Sequence, residues 1–195
     1  MADYTVISSV SRSLLSLLES RMVPDVLQSA ESIALGSPDA KGSMQLYVCL
    51  YHIAECREMT RDYQSYQLGP DLEMQDSSFL YLYYLFAAVS ASEIRFKALE
   101  EQNILGKVIQ VLGTNHTLSV QDYSGKDLPP EHGVQVTMMN LSQEEISKIW
   151  SALGQKQCLS VYYRVGPVEM ESEVIREIPR VTDVSVQIGG KEDVR

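Results

Sequence analysis

The run from Phe79 to Val89 constrains this chain most: 11 consecutive apolar or aromatic residues, among them Tyr81, Tyr83 and Tyr84. Crossing a bilayer takes roughly 18 to 20 apolar residues. This run is too short for that, and its aromatic, β-favouring content reads as a strand buried on both faces. Met44 to Ala54 predicts a second internal strand, because Leu46, Val48 and Leu50 alternate with the equally apolar Tyr47, Cys49 and Tyr51. Two such strands side by side must be covered above and below by other parts of the chain.

Helical spacing supplies that cover. Val6, Ile7, Val10, Leu14, Leu17 and Leu18 predict an amphipathic helix over residues 4–20, with Asp3 or Thr5 as N-cap. Ser90 and Glu93 have capping-box spacing. Ile94, Ala98, Leu105, Val108, Ile109 and Leu112 then form an apolar stripe up to Gly113, which predicts a helix over 91–112. Ser142 and Glu145 repeat the box ahead of Ile146, Ile149, Trp150 and Leu153, with Gly154 closing the helix. Val134, Val136 and Met138 alternate as a strand, as do Leu159, Val161, Tyr163 and Val165, until Gly166-Pro167 is expected to interrupt. Further extended segments are expected from Val168 and over Val181 to Ile188. Residues 57–78 are polar, contain Gly69-Pro70-Asp71, and read as one long connection. The fold class is therefore α+β: one domain over 1–178, a mostly antiparallel sheet packed by two or three helices, and a C-terminal extension over 179–195.

Charge and motifs narrow the function. With 26 acidic and 16 basic side chains the formal charge is −10. Nucleic acid is thus not an expected partner, since its affinity comes mainly from cations that displace condensed counterions. No direct membrane insertion is expected. Met1-Ala2-Asp3-Tyr4 offers no cationic lead to an apolar stretch, so no secretory signal is expected and the chain is assigned to the cytoplasm. Cys49, Cys56 and Cys158 lack CxxC spacing and read as reduced thiols.

No catalytic, cofactor-binding or metal residue is assigned, and no cofactor. His52, His116 and His132 have no helical ligand spacing. Strand geometry sends Cys49 and His52 to opposite faces, and Cys158 has no adjacent base. Glu100-Glu101 and Glu144-Glu145 read as solvated charge on polar helix faces rather than acid–base pairs. The glycines form no phosphate-binding pattern. Tyr47, Tyr51, Tyr63, Tyr66, Tyr81, Tyr83 and Tyr84 suit core packing and protein contacts.

Four blocks carry a family resemblance. They are Tyr4–Leu14; Leu46–Ile53; Leu80–Phe86 with Leu105–Leu112; and Leu141–Leu153 followed by Leu159–Tyr163 and Pro167-Val168. Together they resemble the cap, or tail-terminator, proteins of bacterial contractile injection systems. Glu55–Met59 and Ser77–Phe79 depart from the family pattern in loops. The resemblance implies a homohexameric ring seated on the inner tube protein and the sheath protein, at the end distal to the baseplate. It also implies cytoplasmic synthesis and assembly into a phage tail-like particle, released or membrane-anchored. The rival readings are a cytoplasmic adaptor or chaperone for another component or an effector, and a cysteine-dependent enzyme.

Overall fold

A computed structural model describes residues 4–38, 44–60, 66–69, 72–74, 78–90, 92–120, 134–170 and 175–177. Two strands form its centre, β2 (Leu46–Glu55) and β5 (Ser78–Ala88). They are antiparallel neighbours in a six-stranded sheet of order β1-β2-β5-β8-β7-β6. The other members are β1 (Ile33–Leu35), β6 (Thr117–Leu118), β7 (Val134–Met138) and β8 (Ser160–Met170). Only β1 runs parallel to its partner, so the sheet is mixed but mostly antiparallel. Both apolar strands are internal, as expected: β5 lies between β2 and β8, and Leu82, Tyr84, Leu85, Phe86, Ala87 and Ala88 are fully buried.

Two cores result, one on each face. On the first face, α1 (Val6–Met22) lays Val6, Val10, Leu14, Leu18 and Met22 against Leu46, Val48, Tyr84, Phe86 and Tyr163. Beside it α3 (Ile94–Thr114) contributes Ile104, Leu105, Val108, Val111 and Leu112. The second face is covered by α4 (Gln143–Leu153), whose Trp150 packs with Tyr47, Cys49, Leu85, Ala87 and Tyr162. Each fully buried aliphatic side chain contributes roughly 2 kcal/mol of transfer free energy, so the first and larger core dominates.

Several boundaries differ from the expectations, each for a local reason. The first helix is shifted to Val6–Met22, with Thr5 at the N-cap making no side-chain cap bond. The box at Ser142 and Glu145 forms reciprocally, and Gly154 closes α4 in the left-handed conformation at φ 66°. The box at Ser90 and Glu93 does not form: α3 begins at Ile94, with Glu93 at the N-cap and no side-chain cap, and the Ser90 oxygen instead accepts the Ser92 N–H at 3.0 Å while its hydroxyl donates to Glu100. Gly113 lies inside α3, which runs on to Thr114 and is closed by the Asn115 side chain donating to the Val111 carbonyl at 2.8 Å. Within the predicted stripe, Ala98 and Ile109 are exposed, while Ile104 and Val111 are buried in their place.

Gly166-Pro167 does not end its strand. β8 continues to Met170 across a bulge that sets Gly166 and Pro167 against Tyr81. Proline has no N–H to give a sheet ladder. The loss is tolerated because β7 pairs with β8 only as far as Gly166. The connection over 57–78 also contains structure: α2 (Arg57–Thr60), then β3 (Tyr66–Gly69) and β4 (Leu72–Met74). With β9 (Ile175–Glu177) these strands make a second, antiparallel sheet of order β3-β4-β9. The alternating segment over 181–188 lies outside the described residues.

Candidate functional site

The two strand bulges meet on the second face. In β2 the extra residue is Tyr51, since Leu50 pairs with Tyr84 while His52 pairs with Tyr83. A bulge re-aims the residues that follow it. His52 is thereby turned onto the face that holds Cys49, a correction to the expectation that the two would project oppositely. They still make no site: the Cys49 thiol is buried, and the His52 ring lies against Tyr83 at 5.3 Å. Among the described residues no three His, Cys, Asp or Glu side chains gather as a metal site.

Beyond the edge of α4, the second face carries a row of rings. The Trp150 indole N–H donates to the Tyr162 hydroxyl at 3.0 Å, and Tyr162 stands edge-on to Tyr51 at 6.2 Å. Tyr51 in turn is 6.3 Å from Tyr83. Across the other bulge the Arg164 guanidinium lies 4.5 Å from the centre of the Tyr81 ring. Burial, helped by the neighbouring phenols of Tyr162 and Tyr83 and by the Glu145 carboxylate, pushes the Tyr51 hydroxyl up to about 12. It therefore stays protonated at neutral pH. A hydrogen bond with Cys56, together with burial, raises Tyr81 as well. Tyr51, Tyr81 and Tyr83 are half-buried and His52 is exposed, so this strip of the sheet is open to contact.

Two of the three thiols, Cys49 and Cys158, are poorly placed for nucleophilic chemistry. Burial raises Cys49, and burial followed by the Glu101 charge raises Cys158 to about 11. Thiolate is the reactive form, so both are held in the unreactive one. Of the carboxylate pairs, Glu144 is exposed and paired with Lys148 at 2.5 Å, and Glu145 serves the helix cap. Glu100 is not simply solvated. Its carboxylate accepts hydrogen bonds from the hydroxyls of Ser90 and Ser92 and from the Gln45 amide, which lower its pKa, while Glu101 accepts the Ser90 N–H at 3.1 Å. A carboxylate held charged in this way is a poor general acid; its work is to tie α3 to the ends of β2 and β5. Spacing could not reveal that link, since Gln45 and Glu100 are 55 residues apart.

A second apolar exposure lies on the first two turns of α3, where Phe96 and Leu99 are each 59% exposed. No helix among the described residues is long and apolar enough to cross a membrane.

Comparison with known proteins places the fold. The sequence profile of the Pvc16 N-terminal domain family matches residues 9–183. The chain belongs to the Pvc16 N-terminal domain family. Two solved structures share the fold. One is described as the sheath/tube terminator, in its extended state, of an extracellular contractile injection system termed PVC. It matches with a TM-score of 0.65 and 18% identity, over 100% of this chain and 67% of that one. The other is the tube-terminating cap of the anti-feeding prophage, with a TM-score of 0.62 and 18% identity, over 92% of this chain and 60% of that one. No curated protein matches the sequence. The Pvc16 family match covers the first core from Val10 onward, the second core and the open tyrosine strip, so the expected resemblance to contractile injection caps is borne out at the level of family and fold.

Proposed function

We propose that this chain is a structural cap subunit, a tail terminator that ends and stabilises the inner tube and sheath of a contractile injection system at the end distal to the baseplate. The observation that carries the reading is likeness over the whole chain to a sheath/tube terminator, joined to the Pvc16 family match. The subunit acts as a closed ring, a homohexamer, that occupies the terminal addition surface and offers none of its own. Inner tube and sheath proteins are its partners. It is assembled in the cytoplasm into a particle that is then released or anchored at a membrane. It is not an enzyme, and the raised thiols of Cys49 and Cys158 speak against the cysteine-dependent alternative. Residues 179–195 form an extension whose alternating sequence suits strand addition to a neighbouring subunit or to sheath.

Deleting the gene tests the reading directly. Tubes and sheaths of irregular or excessive length, or sheaths that contract early, are expected under electron microscopy. Uniform, stable particles of normal length in the deletion strain would overturn it. The adaptor reading is separated by composition: a cap is recovered in purified particles, an adaptor is not.

A further inference from the structure

We propose that the outward face of α3 is a self-contact: two copies of this chain pair their α3 helices antiparallel, about a two-fold axis at Gly106. The face is set apart by its lack of charge. Between Ala98 and Gly113 every exposed residue of α3 is uncharged, among them Leu99, Gln102, Ile109 and Gln110. The three charged side chains of that stretch are only partly exposed and are held within the chain. Glu100 accepts from Ser90 and Ser92, Glu101 accepts the Ser90 N–H, and Lys107 lies 3.7 Å from Asp25. By contrast α1 presents Arg12 and Arg21 to solvent, and α4 presents Glu144 and Lys148. Charge then names the occupant. Copies carrying −10 repel one another, so they meet most readily where neither brings charge to the contact.

Two glycines supply the fit. Glycine inside a helix costs stability relative to alanine. Gly106 and Gly113 both lie within α3, and among the described residues no atom comes within 4 Å of where a Cβ would stand. No contact inside the chain therefore requires them, whereas close approach of a second backbone does. Leu99, Gly106 and Gly113 recur at the heptad spacing of a helix–helix seam, along about 21 Å of helix. In an antiparallel pair about Gly106, the Leu99 of each helix, 59% exposed in the single chain, stands opposite Gly113 of the other, and Gln102 stands opposite Gln110. Large meets small and amide meets amide at both ends. A parallel pair would set leucine on leucine and leave a gap between facing glycines. One helix face is smaller than the roughly 800 Å² per partner of a standard interface, so the pair is expected to be weak. Contacts in the proposed ring run head to tail, so this two-fold contact is separate and does not rest on that reading.

Sedimentation equilibrium of the full chain over a concentration series tests this. The parent is expected to show a weak monomer–dimer equilibrium. Gly106→Glu brings two carboxylates face to face at the axis and should weaken the dimer by about tenfold or more. The site is exposed and glutamate favours helix, so the melting temperature of that variant should not fall. Geometry is read by cross-linking with diamide and peptide mass mapping. Gly106→Cys should join to itself, and in a mixture Leu99→Cys should join to Gly113→Cys. A parent that stays monomeric at the highest concentration would overturn the proposal, as would a dimer left intact by Gly106→Glu or Leu99→Cys joining chiefly to itself. A ring-sized species indifferent to Gly106→Glu, with no dimer, would also overturn it while leaving the terminator reading in place.

Discussion

Gly166 shows how much one residue decides here. Its φ is +143°, a region that side chains with a Cβ rarely adopt, and a Cβ there would meet the Leu80 carbonyl oxygen at 2.7 Å and the Tyr81 ring at 2.9 Å. Gly166→Ala is expected to cost about 2 to 3 kcal/mol or more, read as a lower urea midpoint, because backbone strain and overlap add. Trp150 is nearly fully buried and donates to Tyr162. Trp150→Ala should therefore cost about 3 to 5 kcal/mol, and a variant that melts with the parent would disprove its place in the core. Ser9 is the converse case, a buried hydroxyl with no hydrogen-bond partner among the described residues. Ser9→Ala should stabilise the protein by roughly 1 kcal/mol in the same measurement. Trp150 was legible from its spacing within an amphipathic helix. The need for glycine at 166 was not, because it arises from the approach of another strand.

Among the elements, α3 is held in two different ways. Its second half is packed into the larger core, while its first turns stand exposed and are tied down through Glu100 and Glu101. The folded carboxyl of Glu100 lies below its ordinary value near 4.5, chiefly through Ser90 and then Ser92 and Gln45. A group with a depressed folded pKa adds stability above its unfolded value, and that stability is lost as pH falls through the folded one. Protection from hydrogen exchange at the start of α3, taken relative to the intrinsic rate at each pH, should therefore fall below about pH 4.5 in the parent. In Glu100→Gln that protection should already be lower at neutral pH and change less on acidification. The helix itself was readable from its stripe, and so were both apolar strands and the Ser142 box. The Ser90 box misled because the helix begins only after Glu93: the Ser90 oxygen accepts the Ser92 N–H, and its hydroxyl is held by Glu100, a partner brought close only by the fold. The connection over 57–78 hid β3 and β4 because three or four residues are too few to carry a periodic signal, and the strand that completes their sheet lies about a hundred residues further along the chain.

At the scale of the whole molecule, like charge would oppose the proposed ring. Subunits of −10 repel at long range, and screening shortens that range from about 30 Å at 0.01 M salt to about 8 Å at 0.15 M. Sedimentation should therefore shift toward the heavier species as salt rises; a shift toward monomer would mean that ion pairs close the ring. Truncation after Ile178 should remove or weaken that species without lowering the melting temperature of the domain. The fold class, the internal strands and the helices could be read from the residues alone, because burial periodicity is a property of neighbouring residues, and the family resemblance rested on four blocks of sequence. Only the tertiary structure decided which helix covers which face, where the two bulges fall and that Tyr51, His52, Tyr81 and Tyr83 share one open strip. Those depend on the register between strands far apart in the chain, and a one-residue bulge changes the face of every residue after it.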